Sequence, residues 1–360
     1  MNNKSIYKIF LTGGGTGGSV APLLAIYDEF KDQDVVRPAS SQFEFLWLGT
    51  KFGPERVMVE KEGIKFKAIS SGKWRRYFSL KNLVDIFKIK FGFWQAFFII
   101  LKSRPSLVMS AGSFASVPVI WAAWLLRVPV LIHQQDIRPG LANKLMAPFA
   151  KIVTVAFEKS LADYGKKAVW IGNPVRRKLR ISNFKTNESL PVVLIVGGGT
   201  GATAINELVK SSSNELTKFC RIIHVVGKNK SNLSNGLRVA GYEVFEFLNT
   251  EQMAETLNKA DLVITRAGMG FLSELSYLGK PTIIIPMPDS HQEDNAAFFR
   301  NKKAAVTVKQ KYLTADNFTH MIKDLLSDEK SLEKLSANMA QAMKKGANQE
   351  AMKIIKNLLN

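Results

Sequence analysis

Three loops in this 360-residue sequence have the residue types needed to hold a phosphate. The first, Gly13-Gly-Gly-Thr-Gly-Gly18, reads as G-x-G-x-x-G between an apolar run and a helical pattern. Glycine lets the backbone turn through positive φ and approach a ligand closely. The helix that follows offers unpaired N–H groups and a partial positive charge to an anion. The same residues also suit a tight strand-to-helix turn with no ligand. A dinucleotide-binding unit would add an acid near the end of the second strand. Here that strand runs out at Trp47-Leu-Gly-Thr50 without one, which counts against a nicotinamide cofactor.

The second loop, Gly197-Gly-Gly-Thr-Gly201, repeats this logic after a β-branched run. Its Thr200, and Thr203 beyond it, either donate to phosphate and sugar oxygens or cap the next helix. The third, Ser110-Ala-Gly-Ser-Phe-Ala-Ser116, follows a strand and is rich in small residues. It reads equally as a diphosphate cradle and as a packing turn beneath the helix over 117–126.

Positioning these loops takes two α/β units. Apolar runs at 6–11, 43–48, 107–109 and 130–132 read as strands separated by helical patterns, the sign of a parallel sheet covered by helices. The pattern restarts at 192–196, with further strands expected at 222–226, 262–265 and 282–285. Two similar Rossmann-like domains follow. The polar, basic stretch from Gly172 to Pro191 reads as the linker region. The domains are expected over 1–176 and 177–340, with a C-terminal helix over 341–360 crossing back to the first.

Lys and Arg total 50 against 30 Asp and Glu, a formal net charge of +20. That excess favours an anionic partner: nucleic acid, anionic lipid or a phosphorylated substrate. None of the common nucleic-acid motifs is present, so nucleic acid is not expected. The single Cys220 excludes an intrachain disulfide framework and a cysteine-rich zinc site, and it fits a reducing compartment. No His, Cys or carboxylate cluster has metal-ligand spacing. The apolar run at 6–11 is too short for a signal peptide. The run at 91–101 falls short of the ~20 residues a spanning helix needs. The expectation is a cytoplasmic protein that meets a membrane from one side.

Longer stretches resemble one family in order along the chain. Leu11-Thr-Gly-Gly-Gly-Thr-Gly-Gly-Ser-Val-Ala-Pro22 is similar to the N-terminal signature of the MurG glycosyltransferases. His133-Gln-Gln-Asp136 and Pro139-Gly-Leu-Ala-Asn-Lys144 resemble the family's His-Glu-x-(Asn/Asp) segment and its continuation. Gly172-Asn-Pro-Val-Arg176 resembles its inter-domain motif. Arg266-Ala-Gly268, Ser273-Glu274, Gly279-Lys-Pro281 and His291-Gln292 with Asn295 resemble its donor-site region. The resemblance implies an α/β GT-B fold, two Rossmann-like domains with parallel sheets facing a central cleft. It implies an inverting transferase that moves N-acetylglucosamine (GlcNAc) from UDP-GlcNAc to lipid I, undecaprenyl-pyrophosphoryl-MurNAc-pentapeptide, at the C4 hydroxyl of its N-acetylmuramic acid (MurNAc). The product is lipid II. No cofactor and no bound metal is implied.

On that resemblance the second domain holds the donor. Gly268, Met269, Gly270 and Phe271 present N–H groups to the diphosphate, and Glu274 accepts from the ribose hydroxyls. Backbone groups near Phe247 and Leu248 read the uracil. His291, Gln292 and Asn295 read GlcNAc; spacings of three and four residues put Asn295 on one helix face with the other two, and amides both donate to and accept from hydroxyls. A solvated helix glutamate and ordinary helix capping are the alternatives. Thr16, Gly17, Gly18, Arg176, Gly199 and Thr200 complete the donor set, Arg176 either pairing with phosphate or joining the domains. Gly14, Gly15, Ser19, Ser113, Phe114, Gln134 and Asn143 are expected on the acceptor.

Two positions depart from the family, which carries a His after the first glycine loop and a Glu in the His-Glu segment. Here stand Ser19 and Gln134, and neither acts as an ordinary base at neutral pH. Asp136 is the carboxylate candidate for that role, or else a structural or acceptor-binding residue. His133 joins it in catalysis or orients the loop. Beyond Lys73-Trp-Arg-Arg-Tyr-Phe78, the aromatics Phe87, Phe91, Phe93, Trp94, Phe97 and Phe98 mix with Lys88 and Lys90. Such a mixture suits peripheral binding to an anionic membrane surface at its cytoplasmic face; the alternative is that the aromatics face the core. Two other functions stay open. One is a GT-B UDP-sugar transferase with a different lipid acceptor. The other is a non-catalytic UDP-sugar- or lipid-binding relative, a reading that Ser19 and Gln134 keep alive.

Overall fold

Ile9 and Leu11 of strand β1 (Tyr7–Thr12) enter one hydrophobic cluster and Phe10 enters another. This two-residue alternation means that both faces of the sheet are covered. In the computed structural model, which describes residues 6–15, 17–36, 43–72, 80–181, 189–198, 201–227 and 239–360, β1 lies inside a seven-stranded parallel sheet of order β3-β2-β1-β4-β5-β6-β7. Its other strands are β2 (Phe43–Thr50), β3 (Lys65–Ile69), β4 (Leu107–Ser110), β5 (Val130–Gln134), β6 (Ile152–Val155) and β7 (Ala168–Trp170). One face is covered by Leu23, Ile26 and Phe30 of α1 (Ala21–Val36) and by Ile355 and Leu358 of α14 (Ala347–Leu359). The other is covered by Ala96 and Ile100 of α3 (Leu80–Ser103) and by Val119, Ile120 and Ala123 of α4 (Ser116–Leu125). The chain divides into one unit of Met1–Arg176 with Lys344–Asn360 and a second of Arg177–Met343.

The last helix is fixed to the first unit by Asn348, which is 4% exposed. Its Oδ1 accepts from Val175 N at 3.0 Å, and its Nδ2 donates to the carbonyls of Ala25 and Val175, each at 3.1 Å.

In the second unit β8 (Val192–Val196) is buried at all five positions, as a central parallel strand requires. It sits in a six-stranded parallel sheet of order β10-β9-β8-β11-β12-β13, with β9 (Arg221–Val225), β10 (Tyr242–Phe245), β11 (Leu262–Thr265), β12 (Thr282–Ile284) and β13 (Val306–Thr307). Ile195, Ile264 and Ile283 pack with Ile205 and Val209 of α8 (Thr203–Leu216) and with Phe318 and Ile322 of α12 (Ala315–Ser327).

Each sheet reverses its strand order beside its first strand, between β1 and β4 and between β8 and β11. Ligands of open α/β sheets bind outside the carboxyl ends of the strands at such a reversal. The first and third loops flank one reversal. Gly197 and Gly198 after β8, and Arg266–Gly268 after β11, flank the other.

Two elements differ from the sequence expectation in ways that matter. β5 runs on through His133 and Gln134, which pair with Thr154 and Val155 of β6, so both are strand residues. β3 was not anticipated. Lys65 and Lys67 are exposed on it, because an edge strand carries charge where a central one cannot. Among the described residues no helix is long and apolar enough to cross a membrane.

Candidate active site

Three side chains, from β2, α2 (Glu55–Lys61) and the residue just beyond β5, grip the first glycine loop. Trp47 Nε1 donates to Gly13 O, Glu55 Oε2 accepts from Gly15 N, and Gln135 Nε2 donates to Gly18 O, each at 3.0 Å. Gly15 has φ +78°, a conformation open to glycine at little cost. Gly17 O accepts from Val20 N and Ala21 N at 3.2 and 3.1 Å and starts α1. Ser19 is buried. Thr16 lies outside the described residues. No local signature marked the three tethers in the sequence; the one available signal for Glu55 was the turn Gly53-Pro-Glu55 just beyond β2.

The loop after β4 carries backbone strain. Gly112 has φ +100° and Ser113, which is not glycine, has φ +96°. A serine there costs roughly 1–3 kcal/mol and needs the surroundings to hold it. Gly112 N donates to Ser110 Oγ at 3.1 Å, Ser116 Oγ donates to Gly112 O at 3.0 Å, and Ala115 N donates to Ser113 Oγ at 3.2 Å. Phe114, expected on the acceptor, packs against the α3–α4 core.

His133 is wholly buried. Its Nε2 lies 2.7 Å from Asn173 Oδ1, so the ring proton sits there, and its Nδ1 accepts from Thr154 Oγ1 at 3.0 Å. Burial pushes its pKa down to about 4, against a smaller upward pull from Asn173. A neutral imidazole with both nitrogens engaged suits the orienting role rather than proton transfer. Gln134 is enclosed as well. Its Nε2 donates to Asp136 O at 2.6 Å, and its Oε1 accepts from Tyr164 Oη at 3.0 Å and from Asn143 Nδ2. Gln134 and Asn143, both expected to face the acceptor, thus bond to each other and brace the turn that carries Asp136. Asp136 itself is half-buried.

In the second unit α10 (Met269–Leu278) starts at Gly268, an extended N-cap residue that brings no side chain over the N–H groups of Met269, Gly270 and Phe271. Two amides hold the residue before it. Gln292 Oε1 accepts from Ala267 N at 3.2 Å and from Met287 N at 3.0 Å, while the fully buried Asn295 donates through Nδ2 to Ala267 O at 3.1 Å. Arg266 donates to the carbonyls of Ile285 and Pro286, each at 3.0 Å, and to Gln310 Oε1 at 2.6 Å. The spacing had joined Gln292 and Asn295 on one face of α11 (Gln292–Asn301); that face meets the backbone below α10.

Glu274 is 4% exposed, which rules out the solvated-glutamate alternative. His291 is exposed and is the N-cap residue of α11. Phe247 is half-exposed and Leu248 buried in the segment between β10 and α9 (Thr250–Lys259). Arg176, half-buried, ends the first unit. Gly199 and Thr200 lie outside the described residues. Among the described residues no three His, Cys, Asp or Glu side chains gather as a metal site.

Two parallel-sheet α/β units in one chain match the GT-B fold. Residues 9–155 match the glycosyltransferase family 28 N-terminal domain, and residues 192–355 match the family 28 C-terminal domain. The chain is 39% identical to the UDP-N-acetylglucosamine–N-acetylmuramyl-(pentapeptide) pyrophosphoryl-undecaprenol N-acetylglucosamine transferase of Clostridium kluyveri, over 98% of each chain. It is 42% identical to the transferase of the same name from Clostridium botulinum strain Langeland, over 85% of this chain and 87% of that one. The crystal structure of Acinetobacter baumannii MurG superposes with a TM-score of 0.73 at 24% identity, covering 98% of this chain and 99% of that one, a likeness of fold. The chain belongs to glycosyltransferase family 28 and, within it, to the MurG family of N-acetylglucosamine transferases.

Proposed function

We propose that this chain transfers GlcNAc from UDP-GlcNAc to the C4 hydroxyl of MurNAc in lipid I, with inversion, to form lipid II. The observation that carries this reading is the 39% identity to the C. kluyveri transferase across 98% of both chains.

The second unit is the donor side. As the glycosidic bond breaks, negative charge builds on the UDP diphosphate. The N-terminus of α10, at Gly268 to Phe271, supplies N–H groups and a positive dipole end to that charge. Glu274, in the second turn of the same helix, accepts from the ribose hydroxyls. Gln292 spends its Oε1 on Ala267 and Met287; its Nε2 is then the group that meets a GlcNAc hydroxyl. Asn295 and Arg266 keep the turn before α10 rigid, which preserves the aim of the N–H groups.

The first unit is the acceptor side. Gly14 and Gly15 of its first loop, with Ser113 of the loop after β4, take the diphosphate of lipid I. The acceptor hydroxyl is a weak nucleophile, and a positioned base adds about 10²–10⁴-fold in rate. Asp136 is that base, and His133 and Gln134 hold its turn from within β5. The outer face of α3 binds the membrane. Phe87, Phe91, Trp94 and Phe98 recur at steps of four, three and four residues, and each is more than half exposed. Exposed Lys88 and Lys90 lie among them. An aromatic and basic stripe of this kind suits the anionic cytoplasmic leaflet. The basic cluster at 73–76 lies outside the described residues.

Transfer of labelled GlcNAc from UDP-GlcNAc to a short-chain lipid I analogue tests this function. Product formation supports it. Binding of UDP-GlcNAc without transfer would instead favour the non-catalytic reading, for which Ser19 and Gln134 speak.

A further inference from the structure

The first glycine loop depends on a carboxylate that the reaction just described does not use. Glu55 opens α2 (Glu55–Lys61) five residues beyond the end of β2 and is fully buried. Its Oε2 accepts from Gly15 N at 3.0 Å. Its Oε1 accepts from Thr50 N at 2.7 Å and from the Thr50 hydroxyl. A buried carboxylate needs such donors, because each one lost leaves charge that water cannot reach. The space around it is equally specific. A Cβ on Gly14 would lie 2.3 Å from Oε1, and one on Gly53 would lie 1.8 Å from Oε2. Glycines face the carboxylate from both the loop and its own turn.

Trp47 and Gln135 hold carbonyl groups at the two ends of the loop. Glu55 holds an N–H in its middle. A run of glycines has many backbone states, and ordering it costs conformational entropy on ligand binding. The Gly15–Glu55 bond selects one state, with Gly15 at φ +78°, before any ligand arrives. We propose that Glu55 is a positioning residue of the acceptor site: it shapes the first glycine loop at Gly14 and Gly15 from beneath to receive the acceptor's diphosphate, without touching substrate. This rests on the assignment of the first unit to the acceptor.

Two variants test it. Glu55→Ala removes both oxygens. Glu55→Gln keeps the volume and one oxygen but turns an NH₂ toward either Gly15 N–H or Thr50 N–H. The readouts are acceptor KM, kcat at saturating acceptor, UDP affinity by calorimetry, and amide exchange across 13–18. Acceptor KM is expected to rise about tenfold or more in Glu55→Ala and less in Glu55→Gln. kcat and UDP affinity should stay within about twofold, the pattern of lost binding rather than lost chemistry. Exchange across 13–18 should quicken while β1 stays protected. An unchanged acceptor KM overturns the proposal, as does unchanged exchange, or a parallel fall in kcat and UDP affinity that marks general unfolding. If the unsubstituted chain makes no lipid II analogue, the functional reading fails instead. Exchange in Glu55→Gln then still decides whether Glu55 sets the loop.

Discussion

Gln134 donates from Nε2 to the backbone carbonyl of Asp136 at 2.6 Å. A carbonyl oxygen only accepts, so the amide end of the side chain must face it, and an ionised glutamate could not take that place. Gln134 is therefore a brace for the turn that carries Asp136. Gln134→Glu should destabilise the fold by about 1–3 kcal/mol through an unmet buried carbonyl and a buried charge. Urea unfolding measures this as a lower midpoint at constant slope. An unchanged midpoint would reject the brace.

The base assignment predicts a different signature for Asp136. Asp136→Asn should lower kcat by about 10²–10⁴-fold with little change in UDP affinity. Gln134→Glu should not restore that loss, because its carboxylate would be enclosed by the 136 turn, Asn143 and Tyr164. Near-normal lipid I turnover in Asp136→Asn would remove Asp136 from the chemistry.

Glu274 is buried in the second turn of α10, and the ribose role proposed for it makes UDP affinity the readout. Glu274→Ala should weaken UDP binding by about 1.5–3 kcal/mol, the value of a hydrogen bond to a charged group. Calorimetry that finds wild-type UDP affinity in this variant would sink the ribose assignment.

Stability should fall in mild acid. Burial pushes His133 and His224 down from 6.5 to about 4. Both folded values lie below the unfolded one, so the unfolded chain binds more protons between pH 6.5 and 4. The stability is fully present above about pH 6.5 and is lost as pH falls toward 4. The upper bound is ~3 kcal/mol for each ring, at ~1.36 kcal/mol per pH unit. Urea midpoints across this window measure the slope. His224→Gln should make it shallower, and a slope unaltered by that change would show that His224 is not a source.

The stripe on α3 predicts salt-sensitive attachment to anionic vesicles. Phe91→Ser with Trp94→Ser should weaken sedimentation with vesicles and leave UDP affinity intact, since both side chains are more than half exposed. Equal binding to neutral and anionic vesicles would remove the electrostatic part of the argument. Unaltered binding by the double variant would remove the aromatic part.

Local pattern was enough to read much of this molecule. The all-buried β8 announced itself as a run of β-branched and aliphatic residues. The glycine loops were visible because their cause, a tight turn between a strand and a helix, lies within a few residues. The start of α10 at Met269 was legible for the same reason. Only the tertiary structure decided what holds those turns. Glu55 reaches Gly15 across 40 residues, Gln135 reaches Gly18 across 117, and Asn295 reaches Ala267 across 28. It also decided that His133 and Gln134 lie inside a strand and bond to Asn173 and Tyr164, 40 and 30 residues away. Hydrophobic periodicity reports which face of an element is buried. It carries no information on which distant polar group that face meets, because a hydrogen bond is fixed by geometry at about 3 Å, and sequence spacing does not encode that geometry once the chain has crossed between elements.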